Sequence, residues 1–242
     1  MNLVIDVGNT LIKLGVFDNQ TLKLEKTCVE NEFLITLEEI VQAFPKLKQC
    51  IVSSVANLSE KQLLFLKQQF DVLIIDHTTE IPFINKYTTP KTLGIDRIAL
   101  VSAAVKQYAE KNVLIIDAGT CITYDFLNSE NEYLGGAISP GIAMRYKALN
   151  TFTSKLPLLE ATLPKSLIGN STETSINSGV VIGVLNEIDG FINEYRKDND
   201  NLTVILTGGD AHFLRDSIKN DIFANSNFLL EGLNRILEYN KH

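Results

Sequence analysis

The feature that most constrains the fold of this chain is a short motif that occurs twice. Residues 3–10 form an apolar run that ends in Asp-Val-Gly-Asn-Thr, and residues 113–120 form another that ends in Asp-Ala-Gly-Thr. Each motif leads into a second strand-like run. The two aspartates, Asp6 and Asp117, lie 111 residues apart (117 − 6), close to half of the 242-residue chain. Such a repeat predicts a duplicated domain whose halves open with the same strand, turn and strand. A chance likeness of two short turns is the alternative.

The composition narrows the classes of protein to which this chain can belong. Hydrophobic residues make up 45% and charged residues 21%, which is typical of a globular protein, and the formal net charge is −7. The acidic surplus argues against a general nucleic-acid binder, because such proteins neutralise phosphates with Lys and Arg. The three cysteines form no CxxC pair, so neither a disulfide framework nor a zinc cluster is expected. No apolar run approaches 18 residues, and Asp6 interrupts the N-terminal one. We therefore expect a cytoplasmic protein with no membrane segment and no nucleic-acid partner.

The remaining apolar patterns alternate between helix and strand. Helical spacing occurs at residues 36–44, 58–70, 94–111, 141–150, 171–195 and 228–239, and strand-like runs occur at residues 11–17, 49–55, 72–75, 122–127, 133–139 and 203–207. This order predicts two α/β domains, at residues 1–112 and 113–242. Gly179 and Gly183 lower the helix propensity of their segment, so we expect them to allow close packing against a neighbour or a ligand.

The first motif carries groups that suit phosphates. Its glycine turn exposes backbone N–H groups, Asn9 and Thr10 add polar side chains, and Lys13 adds a cation. Asp6 supplies a carboxylate for Mg²⁺. A plain hairpin turn is the alternative, since Asn and Gly favour such turns. The similar motif at Asp117 favours instead two turns that form an ATP site together. The patterns GxxxxGK[ST] and GxGxxG are absent, which excludes a P-loop and leaves a dinucleotide-binding fold without support.

The segment at residues 86–97 provides the candidate catalytic groups. Asp96 and Arg97 lie in the first turn of a predicted helix, where the helix dipole favours a carboxylate. One interpretation is structural, with Asp96 as a helix cap and Arg97 in a surface ion pair. The other is a carboxylate base beside a guanidinium that holds an anionic substrate.

Three glycine-containing segments are weaker candidates. Gly-Gly-Asp at residues 208–210 follows a strand, and its small residues allow adenosine or phosphate to approach closely; a simple helix start is the alternative. Residues 135–141 are expected either to line a substrate pocket or to have only a structural packing role. Ser171 or Thr172, after Gly169, is expected to cap the helix that begins there.

Taken in order, these motifs resemble the type III pantothenate kinases over nearly the whole chain. The matching patterns are Asp-Val-Gly-Asn-Thr-x-x-Lys at 6–13, Tyr-x-x-Pro-x-x-Leu-Gly-x-Asp-Arg at 87–97, Asp-Ala-Gly-Thr at 117–120, Gly-Gly-x-Ile-x-Pro-Gly at 135–141, Gly-x-x-Thr-Glu at 169–173 and Thr-Gly-Gly-Asp at 207–210. The resemblance implies two related ribonuclease H-like α/β domains of the actin-like ATPase and sugar kinase superfamily, with ATP in the interdomain cleft.

The resemblance also implies a reaction, cofactors and site residues. ATP would phosphorylate pantothenate to 4'-phosphopantothenate in coenzyme A biosynthesis, with Mg²⁺ and a monovalent cation, K⁺ or NH₄⁺, as cofactors. Asp96 would accept the hydroxyl proton, and Asp117 would bind the monovalent cation. The residues implied to bind ATP are Asp6, Val7, Gly8, Asn9, Thr10, Leu11, Ile12, Lys13 and Thr120. Those implied to bind pantothenate are Tyr87, Gly94, Ile95, Asp96, Arg97 and Thr172. The family's enzymes are dimers whose interface helps to form the pantothenate site, so a homodimer is implied here.

Two alternatives remain open at this point. One is a non-catalytic regulatory accessory factor on the same fold, and the other is a kinase or phosphatase for another small hydroxyl substrate. The presence of Asp6, Asp96, Asp117 and Thr120 favours an active enzyme, and the segment at residues 87–97 favours pantothenate.

Overall fold

The computed structural model describes residues 1–8, 11–54 and 58–241, and the chain forms two compact units. Unit 1 comprises Met1–Gln107 and Asn227–His242, and unit 2 comprises Tyr108–Ser226. This division differs from the predicted domains, 1–112 and 113–242, chiefly at the C-terminus. There the last helix returns to unit 1, although the sequence order suggested that it belongs with the second half.

Unit 1 is built on a sheet in the order β3-β2-β1-β4-β5, with β1 antiparallel to β2 and parallel to β4. The strands of this sheet are β1 (Asn2–Val7), β2 (Ile12–Asp18), β3 (Thr21–Cys28), β4 (Gln49–Val52) and β5 (Asp71–Ile74), and the short strand β6 (Ile84–Asn85) of unit 1 lies outside it. Its helices are α1 (Phe33–Ala43), α2 (Glu60–Gln69), α3 (Ile95–Gln107) and α8 (Phe228–Tyr239), with short 3₁₀ turns at Glu30–Glu32 and Pro90–Thr92. The core forms where apolar residues of β1, β2 and β4 meet α1, and it includes Leu3, Ile5, Leu14, Phe33 and Leu37.

Helix α8 belongs to unit 1 because it packs on α3 and on the sheet. Gly232 allows this close crossing, since a Cβ there would lie 1.9 Å from the carbonyl oxygen of Ala99. Buried hydrogen bonds reinforce the contact: the Asn2 side chain donates to Asn234 Oδ1 at 2.7 Å and to Glu238 Oε1 at 2.6 Å. The polar network therefore ties the first strand of the chain to its last helix.

Unit 2 repeats the plan of unit 1. Its five strands follow the order β11-β10-β7-β8-β9, which corresponds strand by strand to β5-β4-β1-β2-β3 in unit 1. As in unit 1, the first strand, β7, is antiparallel to the second, β8, and parallel to its other neighbour, β10. The strands are β7 (Val113–Ala118), β8 (Cys121–Leu127), β9 (Glu132–Pro140), β10 (Thr203–Thr207) and β11 (Phe223–Ala224). The helices are α4 (Ile142–Thr151), α5 (Thr172–Asn177), α6 (Gly183–Lys197) and α7 (Ala211–Leu214), with a 3₁₀ turn at Arg215–Ser217. The equal strand order agrees with the duplication that the repeated Asp-x-Gly motif predicts.

Three local features differ from the sequence-based expectations. The predicted helix at 171–195 consists of α5 and α6 joined by a π-helical turn at Ser178–Ile182. Among the described residues, neither Gly179 nor Gly183 packs closely against a neighbour, because a Cβ at either position would meet no atom within 4 Å. The close approach of a ligand at these glycines stays a prediction. Strand β3 was not predicted: only Cys28 among its residues is buried, so its Lys- and Glu-rich sequence lacks the apolar run of an internal strand.

No helix of the described residues combines the length and the apolar composition needed to span a bilayer.

Candidate active site

The first predicted phosphate turn lies between β1 and β2. These strands pair in a register that sets Asp6 opposite Lys13 and Val7 opposite Ile12. The N–H of Gly8 donates to the carbonyl of Leu11 at 3.1 Å and closes the turn. Gly8 and Leu11 are exposed, whereas Val7 and Ile12 are buried. Asn9 and Thr10, both predicted to bind ATP, lie outside the described residues.

Ser53, just beyond β4, fixes the carboxylate of Asp6. Its hydroxyl donates to Asp6 Oδ1 at 2.9 Å, and it accepts the N–H of Val7 at the same distance. Since β4 runs parallel to β1, both strand ends meet at one edge of the sheet. Ser53 was not among the predicted site residues, and its only signal in the sequence is a serine pair directly after a buried strand.

The electrostatics of Asp6 link the two predicted motifs of unit 1. Burial raises the pKa of Asp6, the hydrogen bond from Ser53 and the charge of Lys13 oppose that rise, and the charge of Asp96 adds to it. Asp96 therefore lies close enough to Asp6 for the two carboxylates to interact. The structure brings together the predicted magnesium ligand, the predicted lysine and the predicted base.

Asp96 lies at the start of α3 and is exposed. Its Oδ1 accepts the N–H of Arg97 at 2.9 Å, as a carboxylate in the first turn of a helix does. Gly94 makes room for this carboxylate, since a Cβ at Gly94 would lie 2.2 Å from Asp96 Oδ1. Asp96 is the second residue of α3, not its N-cap, and the N–H of Arg97 holds its accessible carboxylate in place.

Arg97 is buried, with 5% of its surface exposed, so it is not the surface ion-pair residue of the structural interpretation. Its guanidinium lies over the ring of Tyr87, 5.6 Å from the centroid, in a cation–π contact. The N–H of Tyr87 donates to Asn85 Oδ1 at 2.9 Å, which anchors the loop before α3. Two residues predicted to bind pantothenate therefore contact each other, beside Asp96 in sequence.

The second turn, between β7 and β8, is in contact with two glycine-containing segments of unit 2. Asp117 is the penultimate residue of β7, and the exposed Thr120 lies in the turn after this strand. A Cβ at Gly141 would lie 2.0 Å from the carbonyl oxygen of Gly119. Gly208 has a φ of +95°, and a Cβ there would lie 2.3 Å from Asp117 Oδ1. The segment at 208–210 thus packs against the predicted cation ligand, the segment at 135–141 packs against the turn that follows it, and both contacts require glycine.

Asp210 extends this second turn. Its backbone N–H donates to the carbonyl of Ala118 at 2.9 Å, and burial raises the pKa of its side chain. In the described part of the chain, no three His, Cys, Asp or Glu side chains cluster as ligands for a metal ion. A bound cation would accordingly need phosphate, water or backbone oxygens besides the aspartates.

Thr172 lies on a different surface of unit 2, at the start of α5. Ser171 is the N-cap, and its hydroxyl accepts the N–H of Thr174 at 3.2 Å. The cap occupies Ser171 and leaves the neighbouring Thr172 exposed, which resolves the alternative that the sequence left open. Thr172 lines a pocket of about 1140 Å³, here called the concave face, with Arg145, Leu149, Phe152, Ser171 and Ile176 among its other residues.

Comparisons with known proteins agree with this arrangement. The model of the type III pantothenate kinase family matches residues 2–194. A type III pantothenate kinase from Christiangramia forsetii is 51% identical over 241 residues, covering 100% of this chain and 99% of that protein. Another, from Flavobacterium johnsoniae, is 48% identical and covers 99% of this chain and 98% of that protein.

Solved structures give the same fold. A Campylobacter jejuni protein assigned to the Baf family of transcriptional activators is 24% identical, with a TM-score of 0.62 and 98% of each chain covered. A glucokinase from an Antarctic psychrotroph is 12% identical, with a TM-score of 0.52 and the same coverage of both chains. These two similarities concern the fold alone. Together with the corresponding strand orders of units 1 and 2, they confirm the predicted two-domain α/β class. The family model and the relatives near 50% identity go further: this chain belongs to the type III pantothenate kinase family.

Proposed function

We propose that this chain transfers the γ-phosphoryl group of ATP to the primary hydroxyl of pantothenate, the first step of coenzyme A biosynthesis. The observation that carries the proposal is the grouping of Asp6, Lys13 and Asp96 in unit 1 of a chain that belongs to this family. Phosphoryl transfer demands mainly positioning and charge stabilisation from the protein. A carboxylate pair with a neighbouring lysine and arginine provides both.

The ATP side of the site is the turn between β1 and β2. ATP and a divalent metal follow from membership of a kinase family, and Mg²⁺ is the metal that we propose. Asp6 fits it, because its carboxylate is partly buried, accepts a hydrogen bond from Ser53, and has its pKa raised by burial. Mg²⁺ would neutralise charge on the β- and γ-phosphates when bound. Lys13 adds positive charge on this side of the site, where it opposes the charge of the phosphates.

The acceptor side is the loop and helix start at residues 87–97. Asp96 accepts the proton of the pantothenate hydroxyl while that oxygen attacks the γ-phosphorus. Gly94 and the N–H of Arg97 hold the Asp96 carboxylate in one position. Arg97, fixed over Tyr87, orients the substrate and stabilises the charge that develops on the transferred group.

A monovalent cation, K⁺ or NH₄⁺, is part of the same proposal. Asp117 would be its ligand, with Thr120 on the nucleotide side. The carboxylate of Asp117 and the carbonyl of Ala118 both approach Gly208, so oxygen atoms are concentrated at this turn. Oxygen ligands are those that hard cations prefer.

The domain organisation and the assembly are also proposed. Units 1 and 2 correspond to the two family domains, with α8 counted with the first. The chain acts in the cytoplasm as a homodimer, through the surface of unit 2 that surrounds the concave face. Phe152, Leu167 and Ile168 support this surface as the interface, since they are 85%, 70% and 82% exposed.

The dimer is tested by light scattering of the purified protein. Ile168→Glu is expected to give monomers, because it sets a charge in an apolar interface. Ile35→Glu, an equal change at a residue of unit 1 that is 63% exposed, is expected to leave the dimer intact. A monomeric parent protein, or a dimeric Ile168→Glu variant, would contradict the assignment.

The reaction is tested by coupled ADP release with Mg-ATP and pantothenate, in K⁺ or in Na⁺. Pantothenate-dependent release is expected, and it is expected to be faster in K⁺. Asp96→Asn should lower kcat by about 10²–10⁴-fold, the usual contribution of a general base. Asp18→Asn, at an exposed carboxylate of the same unit, should leave the rate unchanged.

Three other outcomes of the ADP-release assay would change the proposed function or the proposed role of a residue. An equal rate of ADP release in K⁺ and in Na⁺ would leave the kinase assignment in place and would contradict the proposed K⁺ site. Near-normal turnover by folded Asp96→Asn protein would remove Asp96 from the role of base. Absence of pantothenate-dependent release would refute the proposed reaction, and a panel of other acceptor alcohols would then separate another kinase from a regulatory protein.

A further inference from the structure

The junction between β9 and α4 packs against the turn at residues 117–120, here called the second turn. The N–H of Gly141, at this junction, donates to the carbonyl of Thr120 at 3.0 Å. A Cβ at Gly141 would lie 2.0 Å from the carbonyl oxygen of Gly119, so the two backbones are in direct contact. Strand β9 also pairs with β8 so that Pro140 lies opposite Cys121, the residue after Thr120. A shift of this junction would therefore move Thr120.

A network of side chains holds the junction in place. Arg145 of α4 donates from Nε to the carbonyl of Pro140 at 2.8 Å and from Nη2 to Glu187 Oε2 at 2.6 Å. The hydroxyl of Ser139 donates to the other carboxylate oxygen, Glu187 Oε1, at 2.5 Å. Ser139 and Pro140 are the last two residues of β9. Glu187 of α6 thus holds the first of them directly and the second through Arg145.

Glu187 holds the neighbouring strand as well. Its Oε1 accepts the hydroxyl of Tyr124 of β8 at 3.1 Å. The side chains of Glu187 and Arg145 are only 24% and 22% exposed, so solvent screens their interaction less than that of a surface ion pair. Burial raises the pKa of Glu187, but the hydrogen bonds from Ser139 and Arg145 outweigh it and hold that pKa below its usual value. Glu187 is therefore ionised, and one carboxylate links β8, β9 and α4.

From these contacts we infer that Glu187 and Arg145 are positioning residues for nucleotide binding at the second turn. The inference rests on the proposed function, which assigns Thr120 to ATP. Neither residue needs to contact the nucleotide, because both act by holding the β9–α4 junction against the turn. The glycine-containing segment at residues 135–141 then has a packing role, and that packing serves the nucleotide site of unit 2.

The first test is equilibrium binding of a non-hydrolysable imido analogue of ATP, with Mg²⁺, to Glu187→Gln. This substitution keeps the shape of the side chain and removes its charge. Loss of the charge-assisted hydrogen bonds is expected to weaken binding of the analogue by about 10-fold and to raise the KM for Mg-ATP by a similar factor. The kcat at saturating Mg-ATP and the KM for pantothenate should stay within twofold of the parent values. Glu194→Gln is the matched control, because it removes an exposed carboxylate of the same helix, and it should bind the analogue as the parent does.

Amide hydrogen exchange separates positioning from a general loss of stability. The N–H groups of Gly119 and Gly141 donate to the carbonyls of Cys121 and Thr120, so their exchange reports whether the turn and the junction stay closed. In Glu187→Gln these two amides are expected to exchange about 10-fold faster, while the amides of β10 exchange at the parent rate. Faster exchange throughout unit 2, with a loss of binding in proportion to unfolded protein, would show a merely structural role and overturn the inference.

Arg145 is tested by a double-mutant cycle. Arg145→Gln should also weaken binding of the analogue. The double variant should bind no more weakly than the weaker of the two single variants, because Glu187 and Arg145 act on the junction as one unit. Independent, multiplying effects would overturn their shared role.

The inference and the proposed function fail in different ways. A parent protein that turns over pantothenate, with parental binding of the analogue by Glu187→Gln, overturns the inference and leaves the function. An equal loss of binding in Glu194→Gln also overturns the inference, since the effect would then be one of general charge. A parent protein that binds no analogue overturns both. A parent protein that binds the analogue without turning over pantothenate overturns the proposed reaction, and weaker binding by Glu187→Gln would still support the inference.

Discussion

A methyl group at Gly94 should move the proposed catalytic carboxylate without unfolding the protein. The Cβ of Gly94→Ala would lie 2.2 Å from Asp96 Oδ1, whereas ordinary contact begins near 3.4 Å. The oxygen must therefore retreat by about 1 Å (3.4 − 2.2 = 1.2). The atom that yields is the end of a side chain, so the backbone of α3 can remain in place, although the hydrogen bond from the N–H of Arg97 is stretched or lost.

The expected cost follows from this displacement. A misplacement of about 1 Å lowers an enzymatic rate by roughly 100-fold, which corresponds to about 2.7 kcal/mol of transition-state stabilisation. We expect kcat to fall by this amount in the coupled ADP-release assay at saturating pantothenate and ATP. The stability of Gly94→Ala should change little, since a helix start accepts alanine.

The control is the same substitution at Gly190, an exposed position within α6. A Cβ there meets no described atom within 4 Å, so Gly190→Ala should keep full activity and stabilise the protein by about 0.5–1 kcal/mol. The reasoning is refuted if Gly94→Ala retains more than half of the parent kcat while its unfolding midpoint is unchanged. A loss of activity in proportion to a loss of folded protein would refute it as well.

Three further predictions concern the two turns. Burial raises the pKa of Asp6, so its ionised form opposes folding above that raised pKa, and this cost disappears as the pH falls below the unfolded value. Asp6→Asn should therefore raise the unfolding midpoint at pH 7 without Mg-ATP, by an amount that shrinks toward pH 4, while activity is lost; an unchanged midpoint at pH 7 would contradict this account. Asp117→Asn should raise the K⁺ concentration that gives half-maximal rate, measured by titration of KCl at constant ionic strength, and an unaltered K⁺ response would remove Asp117 from the cation site. Gly208→Ala should destabilise the protein by about 1–3 kcal/mol in urea unfolding, since its φ of +95° and its contact with Asp117 both exclude a side chain, and parent-like stability would show that the loop can relax.

Some of this protein is determined by local sequence. The apolar runs before Asp6 and Asp117 specify buried strands, and β10 and α8 begin and end at their predicted residues because strong apolar periodicity outweighs their surroundings. The repeated Asp-x-Gly turn predicts the duplication, and the two sheets share one strand order as expected. The family, too, is identified from the order of short motifs along the chain.

Other features depend on contacts between residues far apart in sequence. Ser53 reaches Asp6 because β4 pairs in parallel with β1, and no local pattern around residue 53 encodes that pairing. Glu187 orients Arg145 across 42 residues, after a π-helical turn that helical periodicity does not reveal.

The packing of α8 against unit 1 also depends on the tertiary structure. It depends on the close crossing of Gly232 with Ala99 and on the hydrogen bonds of Asn2, whose partners lie at the other end of the chain. Local sequence therefore determines which elements form and which chemical groups their turns carry, because propensity and periodicity act over a few residues. The tertiary structure decides which groups meet, because burial and hydrogen-bond satisfaction are properties of the packed chain.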